Sequence, residues 1–348
     1  MKLPLKTRYA LLSLVVSVVL VGVKFYAWAL TDSQVVLTDA LESIINIVAS
    51  AFALYSIYLA GLPKDENHPY GHGKIEYLSV GFEGGLILMA GGYIFYAALL
   101  ALWEPHSVAR PDWGMALLAA TAFVNLGTGW LLVRAGRQHH SPALVGDGQH
   151  LYLDAVSTFV SCAALGLVML TDNVLYDALA ALGLGVFIVV NGFRMVRRSV
   201  SGLMDEADVA TVQQVVAELQ EHREPAWIDV HNLRVQRYGA SLHIDCHVTM
   251  PYYLSLEQTH EHVHGIEALV AQEFGVPVEM FVHADPCTFA ACWHCHVADC
   301  PVRRHPFTQE ITWTLANVAK NERHHLEAAP PIGAMSPPQP PSPKKEME

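Results

Sequence analysis

Six long apolar runs, at about 9–30, 33–61, 76–103, 113–134, 143–170 and 173–193, fill most of the first two hundred residues. Each reaches the ~20 residues a helix needs to cross a bilayer core. The first run is too long for a signal peptide, and no small-residue cleavage site follows it. Beyond the sixth run the pattern changes. Residues 205–221, with Glu206 leading into Val209, Val212, Val215, Val216 and Leu219, have helical periodicity. Residues 227–237 and 240–249 read as two strands about a tight turn at Tyr238-Gly239. A second amphipathic helix runs from Leu256 to Phe274, and a last strand covers 278–284. The order αββαβ predicts a small α+β domain of ferredoxin-like type, with helices on one face of a sheet. Residues 286–308 are rich in cysteine and histidine and read as irregular; from 329 the chain is Pro, Ser and charge, which cannot build a core. The expected division is a membrane domain over 1–202, an αββαβ domain over 203–286, a Cys/His-rich extension over 287–325 and a disordered tail over 326–348.

Charge placement orients the spans. Lys2, Lys6 and Arg8 precede the first run, Lys64 and Lys74 follow the second, Arg134 and Arg137 follow the fourth, and Arg194, Arg197 and Arg198 follow the sixth. The alternate loops, near Thr31, His106 and Thr171, offer little beyond Arg110. The positive-inside rule therefore puts both termini, and everything after residue 200, in the cytoplasm of an inner or plasma membrane protein. Composition agrees: of 348 residues, 52% are hydrophobic and 16% charged, against about a quarter charged in soluble proteins. A net charge of −12 argues against nucleic-acid binding. Ten of the nineteen histidines fall between residues 203 and 300, which points to divalent metal.

Two polar stretches interrupt the membrane segments. Asp39-Ala40-Leu41-Glu42-Ser43-Ile44-Ile45-Asn46 lies in the second and Asp147-Gly148-Gln149-His150-Leu151-Tyr152-Leu153-Asp154 in the fifth. Glu42 with Asn46, and His150 with Asp154, are four apart and share a helix face. Ionisable groups at membrane depth are costly and mark ion pathways unless they only join helices by hydrogen bonds. Two such pairs could supply four ligands to one divalent ion. At these residues the chain resembles the cation diffusion facilitator family, six-span exporters of zinc and related metals that work as metal/proton antiporters and homodimers. The resemblance implies that Glu42, Asn46, His150 and Asp154 form the transport site, with Asp39 and Asp147 as supporting groups one turn earlier. Zinc-type members usually carry His-x-x-x-Asp or Asp-x-x-x-Asp in the second span, where this chain has Glu-x-x-x-Asn. Two carboxylates, an imidazole and an amide suit Zn²⁺ or Fe²⁺ ahead of Co²⁺, Ni²⁺, Cd²⁺ or Mn²⁺. Metal needs these ligands deprotonated, so protons are the expected counter-ion.

The loop Asp65-Glu66-Asn67-His68-Pro69-Tyr70-Gly71-His72-Gly73-Lys74 matches a family segment in which positions equivalent to Asp65, His68 and His72 bind a second metal in some members; the other reading is a Gly/Pro turn with solvated histidines. In the tail, His231, His247, His260, His283 and Asp285 resemble the family's cytoplasmic site, in which the Asp bridges two ions; unrelated surface histidines are the alternative. His260-Glu261-His262-Val263-His264 also satisfies the zinc-protease pattern His-Glu-x-x-His. A metalloprotease would leave the paired intramembrane ligands unexplained, as would a membrane-anchored sensor that transports nothing. Cys287, Cys292, Cys295 and Cys300 offer structural zinc, a metal acceptor, a redox pair or free thiols. Cys162 and Cys246 need no special role.

Overall fold

The computed structural model describes residues 4–31, 34–103, 113–171, 173, 175–239 and 241–324. It divides into two compact units, Met1–Glu206 with Tyr238–Ala240, and Ala207–Arg237 with Ser241–Glu348. The first unit holds six helices: α1 (Leu5–Thr31), α2 (Gln34–Ala60), α3 (Ile75–Trp103), α4 (Trp113–Gln138), α5 (Pro142–Thr171) and α6 (Leu175–Leu203). All six are long and apolar enough to cross a membrane. Between 28% and 39% of each span is buried within the chain, so most of every span turns apolar side chains such as Val15, Val19, Met89 and Phe193 outward. That exposure is tolerable only where the surroundings are as apolar as the side chains. α6 continues ten residues past its apolar run, because loss of hydropathy marks the membrane boundary and leaves backbone hydrogen bonding intact.

Small residues and buried polar contacts assemble these helices. A Cβ at Gly84 of α3 would lie 2.9 Å from Met195 Cβ of α6, and one at Gly192 of α6 would lie 2.9 Å from the Leu88 amide of α3. The two backbones therefore meet at a distance that only glycine permits, the usual device where lipid supplies no hydrophobic drive between helices. Ser13 and Ser17 of α1 lie 3.3 and 3.4 Å from Ser50 of α2, and the Ser50 hydroxyl donates to Asp147 of α5 at 2.8 Å. Buried Glu76, at the start of α3, accepts from the Ser141 hydroxyl at 2.5 Å and has Lys6 at 3.9 Å. Lys74 and Asp205, flanking α3 and α6, pair at 2.8 Å.

The second unit contains α7 (Val209–Glu221), β1 (Asp229–Tyr238), β2 (Ser241–Met250), α8 (Leu256–Glu273), β3 (Val278–Pro286), a 3₁₀ turn at Phe289–His294 and the short α9 (Leu315–Val318). Thus six candidate membrane helices precede the expected αββαβ order. α7 starts at Val209 because Asp208 caps it, accepting from the Thr211 amide at 3.3 Å. A capping box of Ser255 and Gln258 opens α8. The sheet order is β1-β2-β3, with β2 and β3 parallel across the α8 crossover. The register sets His247 opposite His283 and Thr249 opposite Asp285.

Strand alternation sends Leu242, Ile244, Cys246, Val248 and Met250 of β2 into the core. In β1 the buried core series passes from Val230 to Leu233 and Val235, a change of phase by one residue at Asn232, whose φ is 54°. Such an irregularity re-aims neighbouring side chains. The extension belongs to the same core: Trp313 and Val318 pack with Val212, Val216 and Leu219 of α7. Arg223 lies over the Trp313 ring at 4.0 Å, and the Trp313 amide donates to Gln220 at 2.8 Å. Truncating a buried Trp costs about 3 kcal/mol or more. Trp313→Ala is accordingly expected to lower the opening free energy of α7 by about that amount, read as faster amide exchange in peptides covering 209–221; unchanged exchange there would show that the extension does not support α7.

Candidate metal sites

Three of the four expected transport ligands meet between α2 and α5. Asn46 is buried on α2; His150 is buried and Asp154 partly buried on α5. The Asn46 amide nitrogen donates to Asp154 Oδ2, and His150 Nε2 lies 2.5 Å from Asn46 Oδ1. An amide oxygen only accepts, so Nε2 carries a proton in this arrangement. His150 Nε2 is also 3.8 Å from Asp154 Oδ1. These side chains border a cavity whose space open to water centres is about 30 Å³, with Ile45, Leu86, Ile87, Ala90 and Ile188 among its walls. That exceeds the ~10–15 Å³ that one water needs. Glu42 and Asp39 belong to α2, but their side chains lie outside the described residues. Asp147, one turn before His150, is buried and bound to Ser50.

Glu83 on α3 was not anticipated. It is 2% exposed, and its Oε1 lies 3.5 Å from His150 Nδ1, on the ring edge away from Asn46. Among the described residues neither atom has a hydrogen-bond partner. A charge at membrane depth, the mark of the paired ligands, also stands in Phe82-Glu83-Gly84 of the third run. Without a four-residue partner, Glu83 carried no spacing signal.

Among the described residues, two groups bring three possible donors within 4.8 Å: Asp65, His68 and His72, and His231, His247 and Asp285. In the loop, Asp65 lies 3.0 Å from His68 Nδ1 and 3.3 Å from His72 Nε2. Desolvation opposes its charge, yet the His68 amide and both rings hold its carboxyl below the usual range.

In the second unit, His231 of β1, His247 of β2 and Asp285 of β3 converge because the strand order makes them neighbours. Asp285 Oδ2 is 3.4 Å from His231 Nε2 and 3.2 Å from His247 Nδ1. His283 is largely exposed, its Nε2 3.6 Å from Asp285 Oδ1 and its ring 4.6 Å from that of His247. Behind His231, Asp229 lies 3.4 Å from Nδ1. Burial works against the Asp229 charge, but bonds from His231 and His324 hold its carboxyl well below the ordinary value. His260 is exposed on α8 and is not one of the three donors that lie within 4.8 Å of one another. His264 and Glu261 are exposed too, so the His-Glu-x-x-His match lies along an outer helix surface.

Cys287, Cys292, Cys295 and Cys300 border one small apolar cavity together with Ile228 and Tyr252. Burial, followed by the charges of the neighbouring thiols, pushes the Cys287 thiol up to about 11. Arg303 donates to the carbonyls of Cys292, Cys295 and Val297 and so closes the loop that carries them. All four are free thiols, and they do not form a third group of three donors within 4.8 Å among the described residues.

Comparison with known proteins gives the family. Residues 10–204 match the cation efflux transmembrane domain, and residues 207–287 match the cytoplasmic domain of cation efflux proteins. The chain belongs to the cation diffusion facilitator family of metal-ion transporters. It is 31% identical over 285 residues to an uncharacterized transporter of Synechocystis, a match covering 82% of this chain and 92% of that one. It is 28% identical to a cation-efflux pump FieF of Cronobacter sakazakii, over 82% of this chain and 94% of the pump. Metal tolerance protein C1 of Arabidopsis thaliana is also 28% identical, over 74% of this chain and 57% of that protein. This family member is therefore an integral membrane transporter for efflux of divalent metal cations, and its second unit is the family's dimerisation domain. The cysteines after Cys287, with the segment that reaches Trp313, lie beyond both matched regions.

Proposed function

We propose that the protein exports Zn²⁺ or Fe²⁺ from the cytoplasm in exchange for protons, through a centre formed by Glu42, Asn46, His150 and Asp154. The observation that carries this reading is the convergence of Asn46, His150 and Asp154 on one buried cavity between α2 and α5. Bound metal needs His150 Nε2 as a bare lone pair, whereas here that atom donates to Asn46. Metal entry must therefore clear Nε2: the proton moves to Nδ1 in a neutral ring and leaves the centre from a doubly protonated one, while protons returning to the ligands release the metal. Two carboxylates, one imidazole and one amide form a mixed oxygen and nitrogen set that suits zinc or iron. The lysine and arginine bias places both termini in the cytoplasm, which makes the proton gradient of an inner or plasma membrane the driving force. The protein works as a homodimer through its second unit, where His231, His247 and Asp285 bind metal taken from the cytoplasm. The loop group of Asp65, His68 and His72 is a further metal site, and the thiols of the extension hold soft metal.

Glu83 completes the centre. Metal on Nε2 requires the remaining proton on Nδ1, and a carboxylate 3.5 Å from Nδ1 favours that tautomer and holds the ring in place.

A panel of Zn²⁺, Fe²⁺, Co²⁺, Ni²⁺, Cd²⁺ and Mn²⁺ in proteoliposomes with an imposed pH gradient tests the reading. Flux of Zn²⁺ or Fe²⁺ coupled to proton movement is expected, and no coupled flux for any metal overturns it. Asp154→Ala should reduce transport to background, while Asn46→Asp should tighten binding and slow release; normal transport by the first with no change in the second would show that the centre lies elsewhere. Losing a carboxylate behind a metal-binding His commonly costs about 10–100-fold in affinity. Glu83→Leu is expected to show that loss by calorimetry, and Glu83→Gln, which keeps an acceptor oxygen, a smaller one. Equal affinities in all three proteins would remove Glu83 from the centre.

A further inference from the structure

The chain after Cys287 returns to the second unit's histidine group and brings a cation with it. From Trp313, anchored in the core, the segment passes through α9 to Lys320, whose carbonyl accepts from the Asn232 amide of β1 at 2.7 Å. Three residues later Arg323 Nη2 lies 3.0 Å from Asp285 Oδ1, and Arg323 Nη1 donates to the Pro286 carbonyl at 3.3 Å. The next residue, His324, is bound to Asp229 through its amide, at 3.1 Å, and through its ring. Asp285 thus divides its charge between His231 and His247 on one oxygen and the Arg323 guanidinium, with His283 close by, on the other.

We propose that Arg323 is an internal counter-ion of this group, which a divalent metal must displace from Asp285, so that metal binding releases residues 320–324 from β1. The proposal rests on reading His231, His247 and Asp285 as metal ligands. A dication held by those three side chains would face a guanidinium already bonded to the same carboxylate. Like charges at such separations repel, and a metal drawing on the Asp285 charge weakens the hold of that carboxylate on the guanidinium. Arg323 cannot relieve the conflict by losing its proton, so it has to move. It belongs to the strap that is hydrogen-bonded to Asn232 and Asp229, so its departure loosens the Lys320 contact at the point where β1 changes phase. At low metal the group is then neutralised and closed; at high metal the β1 edge is uncovered. Arg323 lies beyond the matched family domain, which ends at residue 287, so the device belongs to the appended segment.

The test uses the full-length protein in detergent, titrated with Zn²⁺. Binding at the group is taken as the step that His247→Ala abolishes, and amide exchange of peptides across 229–238 reports the strap. Removing one charge-assisted hydrogen bond from the competing state is expected to make Arg323→Met bind Zn²⁺ at that step about tenfold more tightly, the equivalent of ~1.4 kcal/mol. Arg323→Lys, which keeps the charge but not the paired geometry, should fall between the two. In the wild type, Zn²⁺ should unprotect the Asn232 amide at the same concentrations that fill the step. Equal Zn²⁺ affinity in all three proteins, or an Asn232 amide that stays protected at saturation, overturns the exchange while leaving the metal group intact. No step sensitive to His247→Ala in any of the proteins removes the metal group itself, and the exchange with it.

Discussion

Polar side chains inside six apolar helices have to find one another, and the first unit is organised by that constraint. Water is absent from a bilayer core, so each buried donor or acceptor must be satisfied by the chain or line a cavity. Ser13, Ser17, Ser50 and Asp147 form one chain of contacts across α1, α2 and α5; Lys6, Glu76 and Ser141 form another near the helix ends. Asn46, His150 and Asp154 form the third, with Glu83 behind it. The first two use polar residues as structural joints. The third borders a cavity.

The close approach of α3 and α6 serves the same centre from behind. Gly84 follows Glu83 directly and lets α6 come against α3 at Met195, while Ile188 of α6 reaches the cavity wall. A bulkier residue at position 84 would push α6 outward at the level where Glu83 meets His150. Packing and chemistry are coupled there through a single pair of neighbouring residues.

In the second unit the constraint is the pleat. His247 and Thr249 of β2, and His283 and Asp285 of β3, face away from the core because Cys246, Val248 and Met250 face into it, and the parallel register lines them up. His231 joins them from β1 beside the phase change at Asn232. The uncovered face would leave Asp229 and His231 to solvent, yet both are nearly fully buried, because residues 320–324 lie over them. The appended segment therefore protects the sheet edge and alters the electrostatics of the histidine group at once.

Much was legible in the chain because it depended on local order. Run length predicted six spans, periodicity predicted α7, β1, β2, α8 and β3, and four-residue spacing put His150 and Asp154 on one face of α5. Each of these follows from the repeat of a helix or strand, which sequence displays directly. What tertiary structure decided depended on residues distant along the chain. Glu83 meets His150 because α3 packs beside α5, His260 stands exposed because α8 turns it outward, and Arg323 reaches Asp285 because Trp313 anchors the extension. No periodicity encodes such contacts, since they arise from the packing of whole elements, and there the sequence offered candidates without partners.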